Sequence, residues 1–472
     1  MSLSEDFFDD RQDSFFSNDQ IKLKIKTASE FIENGETFLQ LDYIEEVILL
    51  CLENELTEDG IYLTDAVLEV APYNSEFWQY KGVLLNNLFE FGEAYKAFNK
   101  ALSLNPSDVE TIINKSIAED NLGFFEDAVS SLETALRLEP QNEEVLFSLG
   151  VLYERQERYL EAINFFEESV AVDPVYSEAW YELGYCYENI DELDKSLIAY
   201  DKFLELEPYS SGGWYNKGIV EIRKNDYQKA INSFEVSIAV KDDFASAWFN
   251  CGVAYANIGF LGKAAECFEK AADLDPFDDT IWFNLGQAYE DLNEYEKAIE
   301  AYSKTIELSD DFYEAYISRG YCFEEIGDNL KALKDFNKAT KIDDQAEEAW
   351  FAKAEIEYHL NKPEKAIKSF IKVTKLNRNN SDAWFKLAEI YLESGKLDEG
   401  FKAFNQCIKI DPKHANAYYG KAKLSFLMSR TQEAIDSLKS AFKLDPNIKN
   451  RFARDYPDAN SSKLIEKLLN EN

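Results

Sequence analysis

The hydrophobic and polar positions of this chain recur with a period of 34 residues. Proline marks the phase: Pro72, Pro106, Pro140, Pro174, Pro208, Pro276, Pro412 and Pro446 all share it. With that proline set at position 32, residues 75–448 divide into eleven repeats of 34 without insertion or deletion. Position 4 holds all seven tryptophans of the chain: Trp78, Trp180, Trp214, Trp248, Trp282, Trp350 and Trp384. Position 8 is small throughout, from Gly82 and Gly150 to Ala388 and Ala422, and so is position 20, from Ala94 and Ala128 to Ala434. Position 24 is bulky, as in Phe98, Leu132, Phe234, Phe268 and Leu438. The apolar spacing predicts two helices per repeat, A over positions 1–14 and B over positions 18–31. Small residues twelve apart let the two helices approach closely, and the proline ends helix B. One hairpin cannot bury its own apolar face, so neighbours must stack, and the chain is expected to be one all-α solenoid rather than several globular domains.

The flanks keep this logic in weaker form. Residues 41–74 stay in phase through Val67 and Pro72 but place Ile48 and Gly60 at positions 8 and 20, which makes them a degenerate repeat. Ile21, Ile25, Ala28 and Ile32 predict a helix over 20–34, so residues 19–74 are expected to form a helical N-terminal cap. Residues 449–472 are expected to cap the other end, with Asn460, Ser461 and Ser462 starting a short helix that carries Leu464, Ile465, Leu468 and Leu469. Residues 1–18 set Phe7-Phe8 and Phe15-Phe16 among acids and serines, the composition of a disordered tail. Four repeats have Asp242, Asp310, Asp344 or Arg378 in place of the proline, which predicts looser hairpin ends.

AWYELGYCYENIDELDKSLIAYDKFLELEP (179–208) and AWFNCGVAYANIGFLGKAAECFEKAADLDP (247–276) resemble the tetratricopeptide repeat, with its W-x2-LG-x2-Y, A-x3-F and terminal proline. The resemblance covers about four-fifths of the chain. It implies a right-handed superhelix whose concave face is lined by the A helices, mainly at positions 2, 5, 6, 9, 12 and 13, and a general role in protein binding. On those positions stand the aromatics Tyr181, Tyr215, Phe249 and Phe283, the amides Asn216, Asn250 and Asn284, and the acids Glu182, Glu188, Glu290, Asp291 and Glu324. A side-chain amide has an acceptor and two donors, so successive asparagines predict a ladder for the backbone of an extended peptide. Across residues 75–346 only Arg155 and Arg223 oppose the acids of these positions, which predicts a neutral or basic partner segment. The carboxylate clamp of some co-chaperone members would need Lys at position 5 and Asn at position 9 of one repeat, and no repeat has that pair.

Composition narrows the function class. The chain has 90 Asp plus Glu against 49 Lys plus Arg, a net charge of −41, which repels nucleic acid and anionic lipid. No run of 18 apolar residues is present and the N-terminus is acidic, so neither membrane insertion nor a secretory leader is expected, and the expected location is cytoplasmic. The excess is uneven: residues 1–346 hold 27 bases and 72 acids, and residues 347–472 hold 22 and 18, so self-association through unlike ends is one expectation. His359 and His414 lie in different repeats, the six cysteines form no CxxC pair, and no phosphate-binding glycine loop occurs. No catalytic residue, metal or cofactor is therefore expected. The sequence predicts a non-catalytic scaffold that holds a partner segment in an acidic groove, with a structural subunit of a larger assembly as the alternative.

Overall fold

A computed structural model describes residues 17–456. The two phenylalanine pairs of the N-terminal tail and the helix expected after Asn460 lie outside the described residues. The chain falls into two compact bodies, Met1–Ala254 and Tyr255–Asn472. Among the described residues, all the regular structure is α-helix.

Each body is built from the same hairpin. Ser75–Asn87 is followed by Phe91–Leu104 in the first, and Glu347–His359 by Pro363–Leu376 in the second. Helix A thus occupies positions 1–13 and helix B positions 17–30, one residue earlier at B than the apolar columns place it. A tight turn sets this offset. Position 15 takes the left-handed conformation in every A-to-B turn, with φ of 60° at Phe89, 80° at Gly123, 58° at Glu157, 60° at Asn293 and 68° at Gly395. A single left-handed residue after helix A turns the chain without a longer loop. Residues 41–74 share the phase, with helices Leu41–Glu53 and Thr57–Val70 and Glu55 at φ 56°. The first helix, Asn18–Glu33, starts ahead of its apolar pattern because Ser17 and Gln20 form a reciprocal capping box.

Packing inside the hairpin rests on the ring at position 24. That ring lies against the small residue at position 8, sixteen residues earlier. A Cβ on Gly184 would sit 2.7 Å from the Tyr200 ring, one on Gly286 2.6 Å from Tyr302, and one on Gly320 2.5 Å from Phe336. These separations are shorter than carbon atoms tolerate, so the glycines exist to admit the rings. Tyr200, Tyr302 and Phe336 are fully buried as a result.

Consecutive repeats are clasped by the tryptophan of position 4. Its indole N–H donates to the carbonyl of position 32 just before it: Trp180 to Pro174 at 3.0 Å, Trp214 to Pro208 at 2.9 Å, and Trp282 to Pro276 at 3.0 Å. Trp248 makes the same bond to Asp242 at 2.9 Å, and Trp350 to Asp344 at 3.1 Å. Trp384 does so to Arg378 at 3.2 Å, and at Asp310 the Tyr316 hydroxyl donates instead at 3.4 Å, so the hairpin ends without proline are held too. The clasp uses the backbone oxygen, which every residue carries, and not the ring.

After the last hairpin, Asn447–Asp455 covers the exposed end with Ile448 and Phe452, both buried. The Tyr419 hydroxyl donates to Asp455 at 2.8 Å and fixes that helix in place. Among the described residues no helix is long and apolar enough to cross a membrane.

Candidate functional site

Neighbouring A helices of the first body meet through side chains 35 residues apart. The Asn216 amide donates to the Tyr181 hydroxyl at 2.8 Å, and the Asn250 amide donates to the Tyr215 hydroxyl at 3.2 Å. Asn250 also donates to the Ser246 carbonyl at 2.9 Å, so both of its amide hydrogens are engaged. In the second body the Asn284 amide donates one turn back to the Thr280 carbonyl at 2.8 Å. The donor side of the expected ladder thus serves the fold itself. The side-chain oxygens of the three asparagines have no hydrogen-bond donor among the described residues, and they are what a peptide N–H would meet.

The aromatics of position 5 are less open than their sequence position suggests. Tyr181 is buried, packed against Tyr200 and Phe203 with centroids 5.9 and 5.2 Å away. Tyr215 is half-buried between Phe234 and Phe244, and Phe283 stacks on Phe312 at 4.8 Å beside Tyr302. Phe249 is half-buried as well. Tyr181, Tyr215 and Phe283 thus spend much of their surface on hairpin packing, and the Tyr181 hydroxyl is engaged by Asn216.

The acids carry the distinctive electrostatics. In the first body, Glu154 (position 12) and Glu182 (position 6 of the next repeat) are neighbours whose carboxyl groups bear on one another's protonation. Burial is the main cause that raises Glu182 well above the carboxylate range, and the charge of Glu154 adds to it. Burial raises Glu154 too, against the opposing pull of the Glu182 hydrogen bond and of Arg155. Glu144 is raised first by burial and then by Glu110 and Glu143. The causes acting on Glu144 and on Glu182 all disfavour charge, and among the described residues no cation offsets them, although Glu144 stays exposed to solvent. The two bases of this surface are already committed: Arg155 pairs with Asp120, and Arg223 binds the Glu188 carboxylate at 3.2 Å, its carbonyl at 2.9 Å and Asp191 at 2.9 Å.

In the second body, Glu290 accepts from the buried Tyr302 hydroxyl at 2.6 Å and is raised chiefly by burial. Glu324 lies 3.4 Å from His359, and burial outweighs that neighbour to raise it as well. Asp291 is exposed. The site residues thus fall into an inward set (Tyr181, Phe283 and the asparagine amides) and a set left to outside partners: the asparagine oxygens, which meet no donor among the described residues, and Glu182, whose charged neighbour is another carboxyl. The Glu154–Glu182 pair was not singled out from the sequence. Its signal is an acid at position 12 followed by an acid at position 6 of the next repeat, where Asn114, Asn216, Asn250 and Asn284 stand in other repeats.

All six cysteines are buried, and burial pushes the thiols of Cys51, Cys322 and Cys407 up to about 12, far from a reactive thiolate. Among the described residues, no three His, Cys, Asp or Glu side chains are arranged to hold a metal ion.

Family models described as tetratricopeptide repeat match residues 75–108, 114–174, 177–210, 245–278, 280–312, 313–345 and 347–380. A model described as anaphase-promoting complex, cyclosome, subunit 3 matches residues 371–441. No curated protein matches the sequence. Similar solved structures include YrrB, described as a TPR protein with an unusual peptide-binding site (25% identity, 39% of this chain and 94% of that one, TM-score 0.36). They also include MamA from Desulfovibrio magneticus RS-1 (25% identity, 36% and 96%, TM-score 0.35). The hetero-tetramer Cut9-Hcn1 of the APC/C covers more of the chain at lower identity (14%, 92% and 97%, TM-score 0.37).

Proposed function

From the premise that this chain belongs to the tetratricopeptide-repeat family of protein-interaction scaffolds, we propose that its A helices hold an extended, neutral or basic segment of a partner protein. One observation carries the reading: Glu182 is a part-buried carboxyl whose charged neighbour is another carboxyl, Glu154, and Glu144 adds an exposed acid to the same surface with Glu110 and Glu143 beside it. Such groups are costly in the empty protein, and a lysine or arginine from outside offsets that cost. Asn216 and Asn250 stand on the same surface, each with an amide oxygen directed to no donor, and a peptide N–H satisfies it. Asn284, Glu290, Asp291 and Glu324 provide corresponding groups in the second body. The scaffold works by binding and not by turnover.

The test is affinity capture by the wild-type chain beside two variants, Glu144→Gln with Glu182→Gln, and Asn216→Ala with Asn250→Ala, read by mass spectrometry at low and moderate salt. The expected result is a partner rich in Lys or Arg that both variants lose and that salt weakens. The asparagine pair is expected to weaken binding by about 1–3 kcal/mol per lost hydrogen bond. Equal capture by all three proteins would sink the reading. A second reading, a subunit of a larger assembly, is supported by the match of residues 371–441 to a family model named for such a subunit. It predicts co-purification at fixed stoichiometry that survives both A-helix variants.

A further inference from the structure

Positions 22, 26 and 29 fall on one stripe of helix B, one turn apart. In the repeat 279–312 that stripe alternates in sign as Glu300, Lys304 and Glu307, and Lys304 lies 2.8 Å from the Glu307 carboxylate. In the next two repeats it is lysine throughout: Lys334, Lys338 and Lys341 on Asn329–Ile342, then Lys368, Lys372 and Lys375 on Pro363–Leu376. Lys402 and Lys409 continue it on Leu397–Ile410. Like charges one turn apart destabilise a helix, and passive surface decoration alternates in sign as the preceding repeat does.

The lysines are also unneutralised. Among the eight, only Lys372 has a carboxylate partner in the described residues, Asp344 at 2.6 Å. Lys338 rests over the Tyr316 ring at 5.8 Å, and Lys334, Lys341, Lys368 and Lys375 are exposed. The nearby acid Asp335 is consumed by Arg319, which binds it through two nitrogens at 2.7 and 2.9 Å. The half-buried Lys353, on the A helix between the two stripes, is held below the usual ammonium range, first by burial, and Lys341 and Lys365 are among the neighbours that repel it.

Apolar grooves run beside the stripe. One, of about 710 Å³, places Ile306, Tyr316 and Leu333 beneath Lys334, Lys338 and Lys341. A second, of about 630 Å³, places Ile371, Trp384 and Leu387 beside Lys375, Arg378 and Lys402, with Glu399 the one acid of its lining. An apolar floor under a cationic rim fits a chain that presents apolar side chains between carboxylates.

We propose that this B-helix face, residues 306–409, docks an acidic segment of a partner protein, with its carboxylates on the lysine stripe and its apolar side chains in the two grooves. Charge complementarity selects the occupant. A nucleic-acid strand longer than the patch runs onto Glu300 and Glu307 of the adjoining repeat, whereas a short acidic peptide ends before them. The face is separate from the A-helix surface, so variants of the two distinguish the two proposals.

The probe is a fluorescein-labelled synthetic peptide of repeated Glu-Asp-Phe-Glu, titrated by anisotropy against the full chain at low salt. Replacing Lys334, Lys341, Lys368 and Lys375 with Gln is expected to weaken binding by more than about tenfold with an unchanged helical signal, since all four are exposed. The A-helix variant Glu144→Gln with Glu182→Gln is expected to bind the probe as the wild type does. Changing Phe to Ser in the probe is expected to weaken it, and no change would overturn the role of the grooves. Three results would overturn the proposal: unaltered binding by the lysine variant, tighter binding of an oligothymidylate of equal length, or a rise of about tenfold or more when residues 1–16 are deleted. The last would make this chain's own acidic segment the occupant.

Discussion

At the residue scale, the Glu154–Glu182 pair makes stability depend on pH in an unusual direction. Both carboxyls hold their proton more firmly folded than unfolded, chiefly because they are buried. The folded state therefore binds more protons than the unfolded one above the ordinary carboxylate range, and stability falls as pH rises from that range toward the raised folded values. Thermal unfolding followed by circular dichroism is expected to give a lower Tm at about pH 8 than at about pH 5.5. Glu182→Gln keeps a hydrogen-bonding group at the site without the charge, so it is expected to raise the Tm at pH 8 and flatten the slope. An unchanged slope in that variant would remove the pair as its source. A second residue-scale contest is between helix propensity and packing. Alanine is the better helix former by about 1 kcal/mol, yet at Gly286 its Cβ would meet the Tyr302 ring at 2.6 Å. Packing is expected to win, with Gly286→Ala destabilising by about 1–3 kcal/mol in urea unfolding. The small column at position 8 was plain in the sequence. So was the bulky column at position 24 that fills the volume beside it, but its direct seat against position 8, sixteen residues earlier on the other helix, was not, because the sequence paired the small columns with each other.

At the element scale, the turns decide more than the helices. Helix boundaries were legible to within a residue or so because apolar spacing and proline mark them. The left-handed residue of each A-to-B turn was not, because glycine fills position 15 in only some repeats and Phe89, Glu157, Asp191 and Ser429 take the same conformation. A side chain with a Cβ pays a steric penalty there that glycine avoids. Glu157→Gly is therefore expected to stabilise the protein by about 1 kcal/mol, although glycine elsewhere weakens helices. The effect is expected to appear as a higher urea midpoint at constant m-value, and a lower midpoint would show that the Glu157 side chain does more than occupy the turn. The tryptophan clasp also escaped the sequence. Its acceptor is a backbone carbonyl, so neither Asp242 nor Asp344 betrays the bond by residue type. The asparagine amides were misread for a related reason: a residue's place on the lining face does not reveal that the preceding repeat offers it a hydroxyl, as Tyr181 offers Asn216.

At the scale of the whole molecule, uncompensated charge outweighs the ion pairs. Many pairs are exposed close neighbours in sequence, such as Lys96 with Glu93 and Lys202 with Glu205, and such pairs contribute little. Against them stands a net charge of −41, with 72 acids to 27 bases in residues 1–346. Self-repulsion of that size destabilises the compact chain over distances that salt screens. A protein held by its ion pairs loses Tm as NaCl is added, whereas this one is expected to gain several degrees. Screening and general salting-out both raise Tm, but they differ in form. Screening saturates once the Debye length falls below the spacing of the charges, near about 0.2 M, while salting-out grows steadily toward about 1 M. A Tm that climbs steeply to the first concentration and then levels assigns the effect to self-repulsion, and a fall in Tm would assign control to the ion pairs. The same screening is expected to weaken a basic segment on the A-helix face and an acidic one on the lysine stripe. Added salt should therefore stabilise the empty scaffold while it releases what the scaffold holds, and a differential-scanning titration run with and without a bound peptide reads both effects in one experiment.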